Sequence, residues 1–92
     1  MQTVRSDKYL HELDLHLEYI AKDSLNRALN FLDKLDKSIE TLPDMPYRCR
    51  ASYYYDDKKI RDLIFKGYTI PYLIDEIQNK IVLLDIFKWS ER

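Results

Sequence analysis

The 92-residue chain has one glycine, one cysteine, one tryptophan and three prolines. A single glycine excludes a Gly-rich phosphate cradle and a Gly-x-Ser-x-Gly nucleophile elbow, both of which need several small residues for close backbone approach. Cys49 alone excludes an internal disulfide and a cysteine-based zinc pattern, and fits a reducing, cytoplasmic setting. Only His11 and His16 could supply imidazole, and five residues of helix separate them by about 140° around the axis, so no metal pair is expected. No cofactor is implied. Long apolar runs are also missing: the longest aliphatic stretch, Ile81 to Leu84, is far short of the ~20 residues that span a bilayer, and the N-terminus lacks a signal core. A soluble protein with no membrane partner is expected. Without Gly/Ser linker, low-complexity tract or repeat, residues 1–92 read as one domain.

What the chain has is apolar side chains (46%) and charge (34%), enough for one solvated core. The formal charge of −1 conceals an asymmetry. Residues 1–46 hold six basic and nine acidic side chains, a balance of −3, whereas residues 47–92 hold nine basic and seven acidic, a balance of +2.

The order of elements follows from periodicity. Met1 to Arg5 is short and partly β-branched, a plausible opening strand, and Ser6 stands where a helix N-cap belongs. Leu10, Leu13, Leu17 and Ile20 repeat at helical spacing, which predicts a helix from Asp7 to Lys22. Asp23-Ser24 caps a second helix, whose seam is read as Leu25, Ala28, Leu32, Leu35, Ile39 and Leu42, and which ends near Thr41 because Pro43 and Pro46 forbid continuation. The short join makes the pair an antiparallel hairpin. Its seam spans less than three heptads and reads as a buried face, not a dimerisation zipper.

Beyond Pro46 the period becomes that of strands. Tyr53-Tyr54-Tyr55 and Lys59 to Phe65 are β-prone; Tyr68, Ile70, Tyr72 and Ile74 share one face of a strand, with Thr69, Pro71 and Leu73 on the other. Turns are expected at Lys66-Gly67 and at Asp75 to Asn79, before a final strand from Lys80 to Phe87. Pro71 has no N–H to give a central ladder, so it demands a bulge or a free edge. The class is α+β, an N-terminal strand and a two-helix hairpin packed on one face of a small twisted antiparallel sheet, with function sought on the uncovered face.

The second half carries Arg48, Arg50, Lys58, Lys59, Arg61, Lys66, Tyr68, Lys88, Trp89 and Arg92. Cations neutralise phosphates and aromatics stack on bases, so the set suits single-stranded RNA; it equally suits a sheet whose edge charges prevent aggregation. Tyrosines exceed what so small a core hides, so some of Tyr53, Tyr54, Tyr55 and Trp89 should be exposed as an interface.

The stretch from Arg61 to Tyr72, the Ile-rich strand ending Leu84-Asp85-Ile86-Phe87-Lys88, and the helical hairpin upstream of both resemble, in that order, the RelE/ParE superfamily of bacterial toxin–antitoxin toxins. The resemblance implies that fold and a cognate antitoxin that blocks the toxin. It also implies one of two targets, mRNA cut on the ribosome by RelE-like endoribonucleases or DNA gyrase poisoned without enzymatic activity by ParE-like members; an inactive member or a non-toxic interaction module is the further alternative. RelE-like nucleases commonly carry Arg after the Gly-Tyr pair and Lys on the preceding strand; here Thr69 follows Gly67-Tyr68, and Ile60 and Asp62 occupy the nearest positions on that strand. If the chain cuts RNA, the resemblance leaves Arg61, Lys66, Lys88 and Arg92 as the catalytic candidates. Arg48, Arg50, Tyr53, Tyr54, Tyr55, Tyr68 and Trp89 are the candidates for binding target or antitoxin. The long helical hairpin is similar to ParE in proportion, which favours gyrase inhibition over the nuclease.

Overall fold

A computed structural model describes residues 1–88. The elements run β1 (Gln2–Arg5), α1 (Asp7–Asp23), α2 (Leu25–Glu40), β2 (Arg50–Ala51), β3 (Ile60–Phe65), β4 (Tyr68–Asp75), β5 (Lys80–Leu83) and β6 (Phe87–Lys88). Both helices begin on a serine. Ser6 Oγ accepts the Tyr9 N–H at 3.1 Å, and Ser24 Oγ accepts the Arg27 N–H at 3.2 Å. Ser24 also donates its own N–H to the Ile20 carbonyl, so one extended residue closes α1 and opens α2. The helices fold back on one another, residues 14–21 facing residues 25–32 across a shallow outer groove. No helix among the described residues is long and apolar enough to cross a membrane.

The buried stripe of α2 is Ala28, Phe31, Leu35 and Ile39, continued by Leu42. Leu25, expected to start the seam, is 64% exposed, and Phe31 replaces it in the core. The reason is the position of the sheet. Phe31 meets the rings of Phe65 and Tyr68 edge-on at 5.4 and 5.1 Å, and this rotates Leu25 and Leu29 outward.

The sheet is mixed, ordered β1-β5-β4-β3-β2, with β6 continuing alongside β4. The meander is antiparallel as expected, but β1 runs parallel to β5, pairing Thr3 with Ile81 and Arg5 with Leu83. Leu63, Tyr68, Ile70, Tyr72, Ile74, Ile81 and Leu83 are buried beneath the helices, as the alternation in β4 predicts.

Three local expectations change. Tyr53 to Tyr55 do not form a strand; β2 ends at Ala51, and residues 52–57 run as a strap behind the sheet. The strap covers only part of the far face of the sheet: Thr69 is 1% exposed and Ile64, beside it, 51%. The last strand is split, because residues 84–86 leave the ladder opposite Pro71. Leu84 donates its N–H to the Pro71 carbonyl at 2.9 Å, so the proline's missing donor faces this interruption and costs no ladder bond. The β3–β4 hairpin turns on Lys66 (φ 49°) and Gly67 (φ 82°), both left-handed as a type I′ turn requires.

Buried position rather than residue type should govern the response to truncation. Leu35→Ala, at a fully buried site, is expected to cost about 2–5 kcal/mol in urea unfolding, and Leu25→Ala less than about 0.5 kcal/mol.

Tyr9 is fully buried and its hydroxyl has no partner among the described residues. Burial, reinforced by Asp36, raises its pKa from 10.0 to about 12. Below pH 10 the phenol is neutral in both states; above it the unfolded chain ionises first, so stability falls as pH rises from 10 through about 12. Tyr9→Phe should thus be neutral or stabilising by up to about 1 kcal/mol at pH 8, since it removes an orphan hydroxyl. The same variant should lose less stability than the parent between pH 10 and 12, measured by urea midpoints across that range.

Candidate functional site

Two grooves flank β6. The first lies behind the sheet, between the strap and the β3–β4 hairpin; it encloses about 550 Å³ and is lined by Arg50, Tyr53, Tyr54, Ile64, Gly67 and Thr69. Strand register explains the gathering. Arg50 pairs with Asp62 and Ile64 with Thr69, and the period of two points all four away from the helices. Thr69 also pairs with Phe87, whose ring meets Tyr54 edge-on at 5.0 Å and so holds the strap down.

Asp62 is the fastening. Its side chain is fully buried, and its Oδ2 accepts the Tyr53 N–H at 3.1 Å and an Arg50 N–H at 3.4 Å. The guanidinium of Arg50 also lies 3.8 Å from the centre of the Tyr53 ring. A carboxylate, a cation and an aromatic face thus fix one another. Asp62 Oδ1 has no partner among the described residues.

The second groove, about 560 Å³, lies between α1 and the break in the last strand, with Lys8, Glu12, His16, Tyr19, Asp85 and Lys88 among its lining. Asp85, nearly buried, accepts its neighbour Ile86's N–H at 2.8 Å and pairs with Lys8 at 3.3 Å. Lys88 lies over the rings of Tyr19 and Tyr68 at 5.2 and 5.8 Å, and His16 meets Tyr68 edge-on at 5.0 Å.

The residues singled out in the sequence fall into separate places. Arg61 acts as a staple: its Nε donates to the Lys58 carbonyl at 3.2 Å and another N–H to the Cys49 carbonyl at 3.1 Å, while it covers the Tyr47 ring at 4.9 Å. Tyr47 in turn donates to Glu76, which raises the phenol's pKa. Arg48 donates to Thr41 Oγ1 at 2.6 Å. Lys66 sits at the hairpin tip over Phe65, five residues and roughly 16 Å of strand from Arg61. Lys88 is opposite Tyr68, at the same end of the sheet as Lys66. Arg61 is therefore apart from Lys66 and Lys88, while Trp89 and Arg92 lie outside the described residues.

Arg50, Tyr53 and Tyr54 do come together, and Tyr53 is 75% exposed. Tyr55 is half-buried and Tyr68 is buried in the core. Asp62, Ile64, Asp85, Lys8 and Tyr19 were not singled out. For the two aspartates a signal existed: each is a carboxylate inside an apolar strand run, where only a partnered charge is tolerated.

The family model for the ParE toxin of the type II toxin–antitoxin system parDE matches residues 4–92. Among solved structures, a chain of the chromosomal ParDE system from P. aeruginosa is similar at a TM-score of 0.78. The two are 17% identical, and the alignment covers 96% of this chain and 95% of that one. No curated protein matches the chain.

If Asp62 fastens the strap, Asp62→Asn should loosen it, because a neutral amide holds Arg50 less strongly and its NH₂, placed where the partnerless Oδ1 stands, is left buried without an acceptor. A loss of about 1–3 kcal/mol is expected, with faster hydrogen exchange at the Tyr53 amide than at amides of β5.

Proposed function

This chain belongs to the ParE toxin family of type II toxin–antitoxin systems, and from that premise we propose that it arrests growth by binding DNA gyrase and is kept silent by a cognate antitoxin. The observation that carries the choice of gyrase over mRNA is the chemistry of the groove behind the sheet. Cleavage by 2′-hydroxyl attack requires a proton acceptor, and cations gathered where charge develops on the phosphate. The positions at which the related nucleases carry those cations hold Thr69, Ile60 and Asp62, exposed by 1%, 9% and 2%. Among the described residues Arg50 is the one cation lining the groove, and it is paired with Asp62.

A toxin that inhibits by occupancy needs surface rather than a catalytic set, and this chain has it. Leu10, Leu15, Tyr19, Leu25 and Leu29 are exposed on the helical hairpin, and Tyr53 and Ile64 beside the groove. Exposed large apolar side chains at this density are the mark of protein-binding surfaces. An antitoxin that covers them both silences the toxin and removes its apolar surface from water.

Purified protein added to gyrase should abolish ATP-dependent supercoiling of relaxed plasmid, and preincubation with the antitoxin should restore it. In a translating extract the same protein should leave ribosome-bound mRNA intact. Cleaved mRNA together with unimpaired gyrase would reverse the assignment.

A further inference from the structure

The strap behind the sheet covers other residues without being covered itself. Beneath it Asp62, Thr69 and Phe87 are buried, yet none of residues 52–59 is buried. No ladder runs through residues 53–57, since β2 ends at Ala51 and β3 starts at Ile60. Such an element has little apolar burial of its own to lose on lifting, which is the condition for a local opening that costs far less than unfolding the domain.

The hydrogen bonds divide the strap into a fixed base and a movable crown. At the base Ser52 donates its N–H to the Ile60 carbonyl at 2.9 Å, Ile60 to the Asp57 carbonyl at 3.0 Å, and Lys59 to Asp57 Oδ1 at 2.9 Å. The Tyr54 N–H bonds Ser52 Oγ at 3.1 Å. All four bonds stay within residues 52–60, so they survive when residues 53–56 swing out. Arg50 lies on β2, and its pairing with Asp62 across the β2–β3 ladder survives as well. What lifting breaks includes the bond from the Tyr53 N–H to Asp62 Oδ2 and the contact of the Tyr54 ring with Phe87.

Against that loss stands Asp62. Its Oδ1 is buried with no partner among the described residues, and an unsatisfied buried anion is costly. Tyr53 is the strap residue bonded to that carboxylate, so lifting it admits water there, and residues 53–56 regain backbone freedom. The group that fastens the closed strap is thereby the one that gains water on its release.

We propose that residues 53–56 form a gate, hinged at Ser52 and Asp57, whose open state lays bare Asp62, Thr69 and Phe87 behind the sheet. The rear surface then has two faces to offer. Closed, it presents the Arg50 guanidinium against the ring of Tyr53; open, it adds a carboxylate and an apolar ring. A ligand that prefers one face shifts the gate toward it. The gate is a property of the isolated chain and does not depend on gyrase being the target.

Two probes on the whole chain read the opening: hydrogen exchange at the Tyr53 amide, and reaction of the thiol introduced by Thr69→Cys with an aromatic disulfide, Cys49 being told apart by peptide mass. Both should give the same opening constant within about threefold, nearly independent of urea below the unfolding transition and at least about 100-fold larger than that of the β5 amides. Ile39→Val, on the helix side of the sheet, should speed exchange in β5 about three- to tenfold and leave both strap probes unchanged. Asp62→Asn should speed both strap probes by one common factor of about tenfold. The amides are also read without the Thr69→Cys change, so a variant that fails to fold still leaves the Ile39→Val comparison to decide. Equal acceleration of the Tyr53 and β5 amides by Ile39→Val would overturn the gate, because the strap would then open only with the whole molecule. A fast Tyr53 amide beside a thiol that reacts no faster than β5 exchanges would overturn it too, the amide fraying under a strap that stays shut. Either result leaves the gyrase reading untouched, and a chain that fails to inhibit gyrase leaves the gate untouched.

Discussion

Pro71 is the residue on which most of the arrangement depends. A central strand needs a donor at every second residue on each side, and proline removes one. The chain meets the deficit by breaking the neighbouring strand at residues 84–86, and several contacts start from that break. Leu84 turns in to bond the Pro71 carbonyl, and its own carbonyl accepts the Ser6 hydroxyl at 3.2 Å. The first helix is thereby seated at its N-cap against the broken strand. Asp85, buried by the same excursion, bonds its neighbour's N–H and pairs with Lys8 in the first turn of that helix. After the break β6 resumes beside β4, which sends Phe87 behind the sheet to hold Tyr54 and Lys88 to the helix side to cover Tyr19 and Tyr68. One missing N–H thus shapes both grooves.

How much of this could be read from the sequence depended on whether the determining interaction was local. Ser6 and Ser24 announce their helices because an N-cap acts within three residues. The alternation of Tyr68, Ile70, Tyr72 and Ile74 is equally local, and all four are buried as it predicts. The seam of α2 was less legible. Leu25 and Phe31 are both apolar, and only the rings of Phe65 and Tyr68, more than thirty residues on, decide which of them turns inward. The parallel pairing of β1 had no local signal at all, since nothing in residues 2–5 names residues 80–83 as partners.

The site divides in the same way. Arg50, Tyr53 and Tyr54 stood out as a basic and aromatic cluster close in sequence. Ile64, Gly67 and Thr69 joined them only through the register of β3 with β4. The three tyrosines look like a strand because their propensity is that of a strand. Asp62 captures the Tyr53 N–H with a side-chain oxygen, and the segment becomes a strap instead. A buried carboxylate in an apolar strand was the one clue, and its meaning depended on a loop nine residues upstream.

The parallel ladder between β1 and β5 also sets a schedule for the molecule's birth. Residues 2–5 leave the ribosome well before residues 80–83, and they have no neighbouring strand to pair with until the latter have been synthesised. Contacts of such long sequence separation form late, after the loop-closure entropy of nearly the whole chain has been met. The helical hairpin can form early from neighbours, but the surfaces built on the sheet cannot. A nascent copy therefore lacks the completed sheet, and every surface built on it, throughout most of its own translation.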